Sequence, residues 1–203
     1  MQRYADYSDM MLMLVKQWRM DWNDWNLPFL FVQLPMYLAD GEKDDSYWAL
    51  QREQQYIASM MIQNAGMISL ADCGEYDNIH PLDKKTPGER LFQLAKNLVY
   101  DKQGTITATA AQLFSDNGKL YVTFDHLHEK LVRQTANGCP FEISGEDNLF
   151  YPAKADVIHG NMLCISNPAV KFPSAVKYAW YNFGEAVLFT ESGNPVSPFF
   201  KCV

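Results

Sequence analysis

The residues best suited to chemistry lie in one short stretch, Ala71-Asp72-Cys73-Gly74-Glu75-Tyr76-Asp77-Asn78-Ile79-His80-Pro81. A carboxylate three residues before a histidine can curl back within a loop and hold one ring nitrogen, leaving the other free to take a proton from a nucleophile. Asp77 and His80 have that spacing. Asp-x-x-His also arises often by chance, and its plain alternative is a pair that stabilises a polar loop. A second group, Asp125-His126-Leu127-His128-Glu129, could set two imidazoles on one strand face as some metal sites do, but no third ligand with clear spacing accompanies it. The structural reading of that pair is preferred. Cys73, Cys139, Cys164 and Cys202 are scattered without a CxxC pair, so they read as ordinary thiols whose pairing the sequence leaves open. Ser144-Gly145 and Ser192-Gly193 look like β-turns, and His159 before Gly160-Asn161 like a turn residue.

A loop delivers a histidine only if rigid elements flank it. Residues 4–22 place Tyr4, Tyr7, Met11, Leu14, Val15, Trp18 and Trp22 at the three-and-four spacing of an amphipathic helix. After Pro28, the run Phe29-Leu30-Phe31-Val32 has the continuous apolar character of a strand buried on both faces of a parallel sheet. Residues 44–63 predict a second helix with Ala49, Tyr56 and Met60 on one side, and residues 67–71 a second strand, completing a strand, helix, strand unit. Thr86-Pro87-Gly88-Glu89 has the marks of a third helix start, with a hydroxyl N-cap, proline at the first position and a glutamate for a capping box. In open α/β sheets ligands bind beyond the carboxyl ends of the strands, which makes the loop with Asp77 and His80 the one to inspect. Gln33, at the end of the first strand, either faces that site or satisfies loop backbone groups. Met10, Met11, Met13, Met60 and Met61 read as core filler on helices.

Beyond about residue 100 the pattern changes to short β-branched and aromatic runs between turn signals. Asn117-Gly118 is a strong hairpin signal because both central positions of such a turn need positive φ. Runs at 155–158, 162–166, 176–181 and 186–189 suggest a β-sandwich or an open barrel. The expected organisation is α/β plus β, with an α/β part over residues 1–102 and a β-sandwich-like region over 103–203.

With 203 residues, 48% hydrophobic and 14% aromatic, the chain has ample material for a packed core. Seventeen basic against 24 acidic residues give a formal charge of -7, which repels phosphate backbones and anionic membranes, so neither nucleic acid nor membrane is an expected partner. No apolar run is long enough to span a bilayer, and residues 1–9 lack the regions of a signal peptide. The compartment stays open.

Asn78-Ile79-His80-Pro81-Leu82-Asp83-Lys84-Lys85 followed by Gly88-Glu89-Arg90-Leu91 resembles the IHP-x-[ND]-K…G-x-R-L signature of sialate O-acetylesterases, members of the SGNH (GDSL-like) hydrolase superfamily. Trp18-Arg19…Trp22, Pro28 to Leu34, and a tail from Pro173 through Val176-Lys177-Tyr178-Ala179-Trp180 and Gly193-Asn194-Pro195 to Pro198-Phe199 agree with that family in the same order. The resemblance implies a partial SGNH (flavodoxin-like) three-layer α/β element and hydrolysis of O-acetyl esters of sialic acid or a related acetylated sugar, without metal or other cofactor. It further implies His80 as the base and Asp77 as its orienting acid. Intact members are often secreted or periplasmic. The superfamily's serine lies in a Gly-Gln-Ser-Asn-like block and an oxyanion donor in a Gly-Glu-Ser-Asn-like block; neither occurs in these 203 residues. The expectation is therefore the rear part of such an esterase, inactive alone, with a bare sheet edge that favours self-association or pairing with the absent half. The competing reading is a non-enzymatic carbohydrate-binding module presenting Tyr178, Trp180 and Tyr181 to sugars.

Overall fold

A computed structural model describes residues 4–203, which form two compact units, the first ending at Ile106 and the second spanning Thr107–Val203. In the first, helix α1 (Tyr7–Asp21) precedes strand β1 (Phe29–Val32), helix α2 (Tyr47–Met61), strand β2 (Ala65–Ile68) and helix α3 (Lys85–Leu98). β1 and β2 pair in parallel, Phe29 opposite Ala65 and Val32 opposite Ile68. Because side chains alternate along a strand, Phe29 and Ala65 join Val15, Ala58 and Ile62 of the helices on one face, while Leu30, Val32 and Ile68 meet Leu94 and Leu98 of α3 on the other. The unit is thus three-layered. Gly66 is small because a Cβ there would stand 2.4 Å from Leu98 Cδ1, so α3 lies close upon β2. Arg19 ties the entries to both strands together, donating to the carbonyls of Leu27 and Gln63. Neither outer edge of this two-stranded sheet is paired among the described residues.

Three expectations need correction here. The predicted cap of α3 is displaced: the helix starts at Lys85, and Asp83, not Thr86, receives the orphan amides of Lys85 and Thr86, each at 3.0 Å. A carboxylate is the stronger acceptor at a helix N-terminus, and Thr86 and the amides hold the Asp83 carboxyl below its ordinary range. The inner face of α2 is not Ala49, Tyr56 and Met60 but Ala49, Arg52, Gln55 and Ala58, with Met60 64% exposed. Polar residues occupy that face because it closes the end of β1: Gln55 donates to the Val32 carbonyl and accepts from the Leu34 amide. The methionines are not core filler throughout either. Met11 packs inward, whereas Met10 and Met13, more than a quarter turn off the stripe of Met11, Leu12 and Val15, are exposed.

The second unit is antiparallel. Strands β3 (Thr109–Asp116), β4 (Lys119–Asp125), β9 (Met162–Ser166) and β8 (Lys154–Ile158) form one sheet; β12 (Phe199–Cys202), β10 (Ala175–Tyr178), β6 (Phe141–Ser144) and β7 (Tyr151–Pro152) a second; β5 (Leu131–Arg133) and β11 (Leu188–Thr190) pair as a third. The architecture is mixed α and β with several antiparallel sheets and no closed barrel among the described residues. The Asn117-Gly118 hairpin forms as its residues predict, with φ of 47° and 74° joining β3 to β4. The core gathers Leu120, Val122, Leu163 and Ile165 from neighbouring strands, with Tyr178 stacked on Phe141 at 4.9 Å. No described helix is long and apolar enough to cross a membrane.

Candidate active site

Two loops leave the carboxyl ends of β1 and β2, residues 33–46 and 69–84, and their sequences stitch them together. Gly74 crosses Met36 so closely that a Cβ would lie 1.9 Å from the Met36 carbonyl oxygen. Next to that crossing the Asp77 amide donates to the Leu38 carbonyl, the Asp40 amide to Asp77 Oδ1, both at 2.9 Å, and the Tyr76 hydroxyl to Asp40 Oδ1 at 3.0 Å. Asp77 adopts a left-handed conformation, φ 54°, which aspartate tolerates better than most residues.

His80 lies in the second loop and is exposed. Its backbone amide donates to Asn78 Oδ1 at 3.0 Å. Glu75 receives the Asn78 side-chain amide and the Leu82 backbone amide, each at 2.6 Å. Arg90 anchors the loop to the sheet and to α3: its guanidinium forks onto both oxygens of Asp72 at 2.7 Å and reaches the Ser69 carbonyl at 3.0 Å. Such a bidentate, half-buried pair fixes direction as well as distance. Cys73, beside Arg90, is no substitute nucleophile, because burial first and the neighbouring Asp72 second push its thiol up to about 12.

The expected pairing of Asp77 with His80 is not seen: the Asp77 carboxylate takes the Asp40 amide, and no hydrogen bond joins it to the His80 ring among the described residues. Gln33 does not face the site. It is fully buried, its amide spent on the Arg52 carbonyl at 3.2 Å, which is the backbone-satisfying alternative. His126 and His128 do not share a strand face: β4 ends at Asp125, and His126 turns the chain with φ 59°. Sequence reasoning overlooked Glu75 and gave Arg90 no role. Their signal is faint, two charged residues in a stretch already rich in charge, since only the folded loop shows which groups need partners.

Of the three aromatic residues of the binding-module reading, Tyr178 is wholly buried with its hydroxyl accepting the Val187 and Leu188 amides, and Trp180 packs on Phe200. Tyr181 alone borders open space. Its ring lies across Gly184 beside a cavity of about 230 Å³ walled also by Pro140 and Glu185.

No protein-family model matches the chain, and no curated protein does. Among solved structures it is similar to a carbohydrate acetylesterase from Xanthomonas citri, with a TM-score of 0.88 and 32% sequence identity over 97% of this chain. The chain spans 46% of the length of that esterase. Over the matched residues the two chains are thus similar in sequence as well as in fold.

Proposed function

We propose that this chain carries the base of a serine-dependent carbohydrate O-acetylesterase of the SGNH type, acting on O-acetylated sialic acid or a related acetylated sugar, and that serine and oxyanion donors come from a different stretch of polypeptide. The observation that carries this reading is the exposed His80 on a pinned strand-end loop, in a chain related to a carbohydrate acetylesterase. His80 takes the serine proton as the oxygen bonds to the acetyl carbon, then returns it to the sugar oxygen as the ester bond breaks; water repeats the cycle on the acetyl-serine and releases acetate. Asp77 serves the base indirectly, by holding the two loops together.

The pure chain is expected to turn over no acetylated sialic acid, and to gain turnover when mixed with a polypeptide bearing the serine and oxyanion blocks. Turnover by the pure chain would refute the division of labour. The second reading, a carbohydrate-binding module, is favoured by the Tyr181 cavity alone. It predicts no gain on mixing, and sugar binding lost in Tyr181→Ala but kept in His80→Ala.

The unpaired edges of β1 and β2, and the exposed Met13, Trp18, Trp22 and Trp25, are features that further strands and helices of the same domain would cover. Without them the chain is expected to self-associate there. Light scattering that finds one monomeric species across the micromolar range would contradict this.

A further inference from the structure

We infer that Glu75 is the positioning residue of the His80 turn, acting through the side-chain amide of Asn78; its meaning for catalysis rests on the reading of His80 as the base. An asparagine amide can face either way, and its neighbours decide which. Glu75 offers Asn78 a carboxylate, which only accepts, so the Asn78 nitrogen must face it, at 2.6 Å. The Asn78 oxygen is thereby left for the far side, where the His80 backbone amide donates to it at 3.0 Å. The second Glu75 oxygen accepts the Leu82 amide at 2.6 Å. One carboxylate thus fixes the chain on both sides of the histidine, and the direction of the imidazole follows from the backbone that bears it.

The other acids nearby are otherwise engaged. Asp72 is forked by Arg90, Asp77 holds the Asp40 amide, and Asp83 caps α3. None of them accepts from residues 78–82 among the described residues. The relay depends on polarity, not on charge alone, and this makes it testable by an exchange of groups.

In Glu75→Gln the new amide nitrogen competes for the place facing Asn78. If it faces Asn78, two donors meet; Asn78 then flips, and its nitrogen is set against the His80 amide. Adding Asn78→Asp to that variant supplies an acceptor to both neighbours and restores the relay with the charge moved by three residues. In the chain as it stands, hydrogen exchange read by NMR is expected to quicken about tenfold at the His80 and Leu82 amides in Glu75→Gln. The double variant should return the His80 amide to within about threefold of the parent, as one regained bond requires. The His80 ring resonances should broaden in the single variant and sharpen again in the double one. Unchanged exchange at His80 in Glu75→Gln, or a double variant no better protected at His80 than the single, overturns the inference. Should Glu75→Gln not fold, the double variant decides alone: folded with His80 protected supports the relay, and anything else refutes it. None of these readouts needs ester turnover, so failure of the relay and failure of the esterase reading are told apart.

Discussion

Replacing His80 by alanine is expected to lower deacetylation on the order of 10⁴-fold or more in kcat once the serine-bearing partner is supplied, with KM little changed. The imidazole is exposed and no hydrogen bond to its ring exists among the described residues, so its removal leaves the loop's amides as they were and subtracts only the proton acceptor. Free imidazole should recover part of the lost rate, because the space vacated opens to solvent. Asp77→Ala is the internal control. If this acid oriented the ring, its loss would approach that of the base; held instead on the Asp40 amide, it should cost about tenfold or less through loosened loops. The measurement is kcat and KM for an acetylated sugar in parent and both variants. A His80→Ala protein with undiminished kcat would remove the enzymatic reading.

The second large effect is structural. Gly74→Ala places a methyl group 1.9 Å from the Met36 carbonyl oxygen and 2.6 Å from its carbon, and both are backbone atoms that no rotamer change can move aside. Met36 is itself buried, so the crossing cannot open without exposing it. We expect a loss of about 3 kcal/mol, the upper end of what forced overpacking usually costs. It should appear as a lower denaturation midpoint for the α/β unit and as faster proteolysis across residues 36–45 and 72–83. Gly41→Ala, at a turn where no atom lies within 4 Å of the added methyl, should cost about 1 kcal/mol from its positive φ alone. Equal losses at the two positions would mean that the crossing is looser than described.

The parts of this fold that the sequence made legible are those governed by one neighbour at a time. Phe29-Leu30-Phe31-Val32 is apolar on both faces because helices cover both, and Asn117-Gly118 tolerates the conformation its hairpin demands. The parts that were not legible depend on residues far apart in the chain. Arg52 and Gln55 are polar and yet face inward, since the chain leaving β1 has carbonyls and amides to satisfy: Gln55 takes those of Val32 and Leu34, and Arg52 reaches the Pro35 carbonyl. Met13 and Met60 are apolar and yet face outward, because α1 and α2 turn other residues toward each other. At the site, His80 stood out by its motif, whereas the division of labour among Asp72, Glu75, Asp77 and Asp83 could not be read from spacing. All four lie in the one stretch 72–83, and only the folded path assigns one to a guanidinium, one to a side-chain amide, one to a distant loop and one to a helix end.

The shared bonds between the loops at 33–46 and 69–84 bear on how such a protein can diversify. An esterase lineage shifting toward a new sugar would ordinarily remodel one loop beside its site and leave the reacting groups alone. Here the loop after β1 and the loop bearing His80 are one mechanical body, so, on the reading of His80 as the base, an insertion near Asp40 tugs on the histidine's own support. Changes of taste and changes of speed are inherited together.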